Sequence, residues 1–154
     1  MTIDDLDKLL QEMKFESFHF YFATNTIGFQ FFGSQKQINY RLNINPQWRI
    51  FKNDALINSS LSCPWHEDYE NEQDYKNDFK DWCDSAKYLK DLQIKNIQIS
   101  NGLGDLEISW SDNSKLQTVI SYDKDEHWYI EIENELKRYI METGKVIIET
   151  IVKK

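Results

Sequence analysis

Cys63 and His66 stand three residues apart, and Cys83 follows in a segment whose apolar residues recur at helical spacing. Two thiolates and an imidazole are zinc ligands, with His19, His127 or a carboxylate available as the fourth. A structural zinc site ordinarily shows two tightly spaced ligand pairs, and only one such pair stands here. The competing reading makes Cys83 a small core residue and Cys63 the end of a strand, because unpaired cysteine is among the most buried residue types. That reading is preferred. No metal or cofactor is expected, and Cys63, His66 and Cys83 remain the alternative ligand set. Nucleophilic catalysis through Cys63 and His66 would need a third, orienting group and a cleft. His127, beside Asp125 and Glu126, has the neighbours of a tuned general base. Alternation with Trp128 and Ile130 nevertheless aims it outward, as an exposed histidine on a strand.

The usual catalytic signatures do not occur: there is no G-x-S-x-G, Walker loop, H-E-x-x-H or C-x-x-C. Asn101-Gly102-Leu103-Gly104 is glycine-containing but joins two alternating segments. A phosphate loop needs a helix opening directly behind it, so a hairpin turn is the better reading. No catalytic residue is assigned.

Charge is the more informative feature. Between positions 67 and 84 stand Glu67, Asp68, Glu70, Glu72, Asp74, Asp78, Asp81 and Asp84, relieved only by Lys76 and Lys80. Asp74, Asp78 and Asp81 follow i, i+4, i+7 spacing, which stacks them on one helix face. Like charges at i, i+4 cost about 0.2–0.5 kcal/mol each, so helix stability does not explain the row. Trp65 and Tyr69 lie in or near the belt, and aromatic residues amid charge are common interface anchors. The candidate partner-binding set is therefore Trp65, Asp68, Tyr69, Glu70, Glu72, Asp74, Asp78 and Asp81. The alternative is a solvated acidic face that keeps the protein soluble.

These residues need a scaffold, and periodicity supplies one. Ile3, Leu6, Leu10 and Met13 recur at helical spacing, with Thr2 as cap and Asp4 and Asp5 at the positive end of the dipole. Two-residue alternation then runs through Phe18, Phe20 and Phe22, and again through Ile27, Phe29 and Phe31. Gly33-Ser34 fits a two-residue turn, followed by the clear strand Ile38, Tyr40, Leu42, Ile44. Trp48 and Ile50, then Ile57, Ser59 and Leu61, predict shorter strands. Residues 63–72 break the pattern. A helix follows over 73–90, its apolar stripe running through Tyr75, Phe79, Trp82, Cys83, Ala86 and Leu89. Alternation resumes through Ile97–Ile99, Leu106–Trp110, Leu116–Ile120 and Trp128–Ile132. A last hairpin pairs 136–141 with 146–152 across Thr143-Gly144, with a helix over 134–142, through ELKRYIMET, as the alternative. The predicted class is α+β: mostly antiparallel β-meander sheets, a short N-terminal helix, and one long central helix packed on the sheet.

The chain reads as a single domain over 1–154, with no linker-like stretch. INYRLNINPQWRIFKN (38–53) and LQTVISYDKDEHWYIEI (116–132) each place a strand, a polar turn and Trp-x-Ile. A duplicated β-unit, 15–62 and 94–152 around helix 73–90, is one explanation. The other is that antiparallel meanders share this grammar.

Composition narrows the function classes. The 154 residues carry 18 Lys+Arg against 26 Asp+Glu, a net charge of −8. An acidic chain argues against direct nucleic-acid binding, which needs clustered basic residues. No apolar run reaches the ~18–20 residues that cross a bilayer. MTIDDLDKLL is acidic where export and transit segments are basic, and two cysteines make no disulfide framework. A cytoplasmic protein with reduced thiols is expected.

With its strand–turn units, NPQWRIF (45–51), which carries Trp-x-Ile, and DLEISWSDNSKLQTVI (105–120), this small acidic α+β chain resembles the immunity-like proteins encoded beside bacterial polymorphic toxins. The resemblance implies a cytoplasmic, non-enzymatic bacterial protein that binds a cognate toxin domain and occludes its active site. A basic toxin would suit the negative surface, which would speed encounter. Those families share no catalytic signature, so no site residue is carried over. The competing classes are an enzyme or small-ligand-binding domain with a pocket between sheet and helix, built around Cys63, His66 and Cys83, and an oligomerising structural protein.

Overall fold

The computed structural model describes residues 1–13, 15–33, 39–123 and 125–152. Helix α1 (Ile3–Glu12) opens where the sequence supplies a cap: Thr2 Oγ1 accepts from Asp5 N at 3.1 Å, and Asp5 Oδ2 accepts from Thr2 N at 2.9 Å. The strands β1 (Phe15–Ala23), β2 (Thr26–Gly33), β3 (Asn39–Ile44), β4 (Trp48–Lys52) and β5 (Ala55–Ser59) follow. Two 3-10 turns, Ser60–Ser62 and Pro64–His66, lead into α2 (Glu72–Ser85). The helix then bends into a 3-10 segment, Lys87–Asp91. The second half holds β6 (Ile94–Ile99), β7 (Leu106–Trp110), β8 (Ser114–Thr118), β9 (Trp128–Ile132), a 3-10 turn Glu133–Glu135, β10 (Lys137–Glu142) and β11 (Lys145–Thr150). The α+β class, mainly antiparallel sheet with a short and a long helix, is as the sequence predicts. Gly33 ends β2, and Ser34 of the expected Gly33-Ser34 turn and the start of the following strand at Ile38 lie outside the described residues.

Among the described residues all strand pairs are antiparallel, in two sheets ordered β1-β2-β3-β9-β10-β11 and β5-β4-β8-β7-β6. Alternation chooses their inner faces. Phe20, Phe29, Phe31, Leu42, Ile44 and Ile130 of the first sheet join Trp48, Ile50, Ile97, Ile108, Trp110 and Leu116 of the second in one buried cluster. Phe18 and Phe29 meet Trp110 across the interface at 6.4 and 6.3 Å between ring centroids. Each fully buried aliphatic of this kind contributes about 1.5–3 kcal/mol.

The chain changes sheet twice, between β3 and β4 and between β8 and β9. Exchanging β1–β5 with β6–β10 turns β1-β2-β3-β9-β10 into β6-β7-β8-β4-β5, which is the other sheet; β11 is left over. The helices obey the same exchange. Helix α1 precedes β1 and packs on β6, whereas α2 and its 3-10 extension precede β6 and the extension packs on β1. A repeated β-unit would leave this pattern.

Two expectations are corrected. Leu61 does not continue a strand: Ser59 caps a 3-10 turn through Ser62, its Oγ accepting from Ser62 N at 3.1 Å, and Leu61 points outward. Buried Ser60 and the reciprocal bonds of Ser59 with Ser62 break the alternation. His127 is not exposed. It lies just before β9 at 4% exposure, its N–H donating to Met141 O at 2.9 Å, so the alternation of the strand does not extend back to it. Among the described residues, no helix is long and apolar enough to cross a membrane.

Candidate functional site

Helix α2 starts at Asn71, whose side-chain oxygen accepts from Asp74 N at 2.9 Å while its amide donates to Asp74 Oδ2 at 2.9 Å. Glu72 and Asp74 in the first turn suit the helix dipole. Over the following turns the apolar side is half-buried: Tyr75 stacks on Phe79 at 5.9 Å, Phe79 meets Trp82 at 5.7 Å, and Trp82 reaches Phe22 at 4.7 Å. The helix is fastened at this end by Asn58, which donates to Trp82 O at 2.9 Å and to Ser85 Oγ at 3.0 Å. Trp82 Nε1 in turn donates to Ser62 Oγ at 3.1 Å.

With that side fixed, Asp74, Asp78 and Asp81 project together into solvent. Tyr69 joins them to the preceding loop. Its hydroxyl donates to Asp78 Oδ2 at 3.0 Å and to Glu67 Oε2 at 3.3 Å, and its ring packs on Tyr75 at 5.5 Å. Desolvation together with these two carboxylates pushes the Tyr69 phenol well above its ordinary value. Glu72 pairs with Lys76 at 3.2 Å and Lys80 with Asp84 at 2.7 Å, both exposed i, i+4 pairs. The side chains of Asp68, Glu70 and Asp81 make no hydrogen bond or ion pair to any described residue. The belt is thus one continuous exposed surface of loop and helix.

Beside it lie apolar groups that alternation did not single out. Trp65 is 62% exposed on the 3-10 turn that packs against α2, and Leu61 and Leu56 are exposed on the segment leading to it. The Ser-Leu-Ser-Cys-Pro run, with its capping serines and proline, was the available signal that the strand stops and its last side chains turn out.

The alternative ligand set is not assembled. Cys63 is buried and Cys83 half-buried, both as free thiols. His66 is turned back, its Nε2 donating to Ser60 O at 3.2 Å. Among the described residues, no three His, Cys, Asp or Glu side chains are placed to share a metal ion. Burial raises both thiols, Cys83 to about 11 with help from the neighbouring Cys63 and Asp84, which disfavours the thiolate needed for ligation or attack. His127 has a structural engagement: Thr143 gives its hydroxyl proton to Tyr122 O at 2.6 Å, so the His127 ring donates from Nε2 to Thr143 Oγ1 at 2.9 Å.

Two further features were not anticipated. A groove of about 680 Å³ lies between the start of α1 and two hairpin turns, lined by Met1, Asp4, Asn101 and Lys145 among others. On the outer face of the second sheet, Glu107 accepts from Gln117 at 2.7 Å, Lys115 at 3.2 Å and Gln98 at 3.4 Å. Arg49 donates to Gln117 at 3.0 Å, so a polar row crosses four strands. The chain matches no family model, no curated protein and no solved structure at a significant level.

Proposed function

We propose that this chain is a non-enzymatic protein-binding module, an immunity protein that neutralises a cognate basic toxin domain through the acidic surface of α2 and the loop before it. The observation that carries the reading is the grouping of exposed carboxylates, Asp68, Glu70, Glu72, Asp74, Asp78 and Asp81, beside an exposed Trp65. A charged rim around a large aromatic anchor is the anatomy of a binding surface that steers a partner and then holds it. Tyr69 preorganises it by pinning loop to helix. The resemblance in layout to immunity-like proteins, together with an acidic charge suited to a basic toxin domain, supports the same reading and a bacterial cytoplasm as its place of action.

The test uses the basic toxin domain that this reading requires as partner. Replacing Asp74, Asp78 and Asp81 by Lys is expected to slow association about 10–100-fold at low salt and to flatten its salt dependence. Trp65→Ala is expected to raise the dissociation rate about tenfold, equivalent to about 1.4 kcal/mol. An unchanged association rate and salt slope in the triple variant would reject the electrostatic mechanism.

A further inference from the structure

Among the described residues, four strands lie at sheet edges, and each meets a helical segment: β6 and β11 meet α1, β5 meets α2, and β1 meets the 3-10 segment Lys87–Asp91. Of these, β11 is the strand left over from the exchange of halves. It meets the start of α1 near Val146, and from Ile148 to Thr150 it is exposed. Ile148 is 47% exposed and Val152 81%. An open edge of this kind is a template for another strand unless charge, proline or a bulge blocks it, and β11 contains no proline and pairs with β10 without a register shift.

The hairpin decides which backbone groups face outward. Thr143-Gly144 is a two-residue turn, so Glu142 and Lys145 form its closing hydrogen-bonded pair. Bonded pairs recur at Ile140–Ile147 and Arg138–Glu149, and the series ends with Ile151 N donating to Leu136 O at 2.7 Å. The N–H and C=O groups of Val146, Ile148 and Thr150 therefore point away from β10. Among the described residues, none of them takes part in a backbone bond outside the strands.

We infer that β11 pairs antiparallel with β11 of a second copy of this chain, centred on Ile147, to join two six-stranded sheets into one. Only this register satisfies the charges. It sets Glu149 opposite Lys145 of the second copy and, by symmetry, Lys145 opposite Glu149. Within each copy Glu149 already lies beside Arg138 at 3.7 Å and Lys145 beside Glu142 at 3.8 Å. The row across four strands thus alternates in sign, Arg138, Glu149, then Lys145 and Glu142 of the second copy. Between the charged rows Ile147 meets its counterpart, flanked by Ile140 on both sides. On the other face Ile148 meets Val146, flanked by Tyr139 and Met141. Centring on Glu149 would set Glu149 against itself. Centring on Ile148 would set Glu149 against Ile147.

Sedimentation of the full chain over the micromolar range tests the inference. The expected result is a species of twice 18.5 kDa, with amide exchange at Val146, Ile148 and Thr150 slowing as concentration rises. Ile148→Pro removes an outward N–H without breaking a bond to β10, and is expected to yield a folded monomer. Lys145→Glu and Glu149→Lys are each expected to be monomeric alone, because like charges then face each other, and to form a heterodimer when mixed. A wild-type chain that stays monomeric throughout, a dimer that survives Ile148→Pro, or single charge variants that dimerise as well as the wild type would each overturn it.

Discussion

Trp48 and Trp128 occupy equivalent places in the two sheets. Trp48 donates its indole N–H to Asn25 O in the β1–β2 turn at 2.7 Å, and Trp128 donates to Gly104 O in the β6–β7 turn at 2.8 Å. Each opposes the last residue of the strand that precedes the other's crossover: Trp48 faces Thr118 and Trp128 faces Ile44. Both are buried. Each ring therefore anchors one half's hairpin turn to the strand that enters from the other sheet.

Replacing either tryptophan by phenylalanine removes the donor, orphans a turn carbonyl and leaves a void. Both variants are expected to lose about 1–3 kcal/mol, and the two losses should agree within error because the environments match. Urea unfolding of the two variants checks this. A neutral result at one position would break the equivalence.

Gly104 shows how tightly such a turn is built. Its φ of +99° is one that side chains rarely adopt, and an added Cβ would run into the buried side chain of Met141. Gly104→Ala is expected to cost about 1–3 kcal/mol, measurable as a lowered midpoint in denaturant. Gly102→Ala, in the same loop but with open space at its Cβ, serves as the silent control.

Glu107 gives a pH signature. Burial alone would raise its carboxyl, but the bonds from Gln117, Lys115 and Gln98 outweigh that and hold it below the ordinary carboxylate value. The unfolded chain takes up the proton first as pH falls. The stabilisation is therefore present above the unfolded value, near pH ~4.3, and is lost as pH drops through the folded one. Glu107→Gln is expected to cost about 1 kcal/mol at neutral pH, and the gap from the wild type should close in acid. Thermal unfolding of both proteins across that range gives the comparison.

The thiols should be slow. With Cys83 raised to about 11 from an ordinary value of 9.0, its thiolate fraction at neutral pH falls roughly 100-fold. Labelling of the native protein by a thiol-specific reagent is expected to lag far behind labelling in urea. Fast native modification at Cys83 would contradict the burial described.

Most strands were legible because a half-buried antiparallel strand writes its burial as alternation. Leu42 and Ile44 against Arg41 and Asn43, and Trp128 and Ile130 against Tyr129, are read directly, whereas over 134–142 the sequence allows strand or helix and pairing with β9 and β11 makes 137–142 a strand. The Thr2 cap was legible because capping is a local bond. The carboxylate row of α2 was legible from spacing alone. Where local pattern ends, reading fails. Leu61 has the parity of a strand, but the serines around it satisfy their own backbone. His127 has the parity of an exposed residue, but a bond to Thr143, sixteen positions on, draws it inside. The crossing of strands between sheets is set by pairings such as Leu42 with Ile130, and no local window contains both.

The swapped arrangement has a consequence for synthesis. When a ribosome has released only the first half of the chain, β3 and β4 each lack one of the neighbours they will finally have, since β9 and β8 are still to be made. Their open edges and apolar sides then await residues more than sixty positions downstream, and closure of the barrier to solvent falls late in translation. A nascent chain stalled near α2 should accordingly be the form most in need of a chaperone.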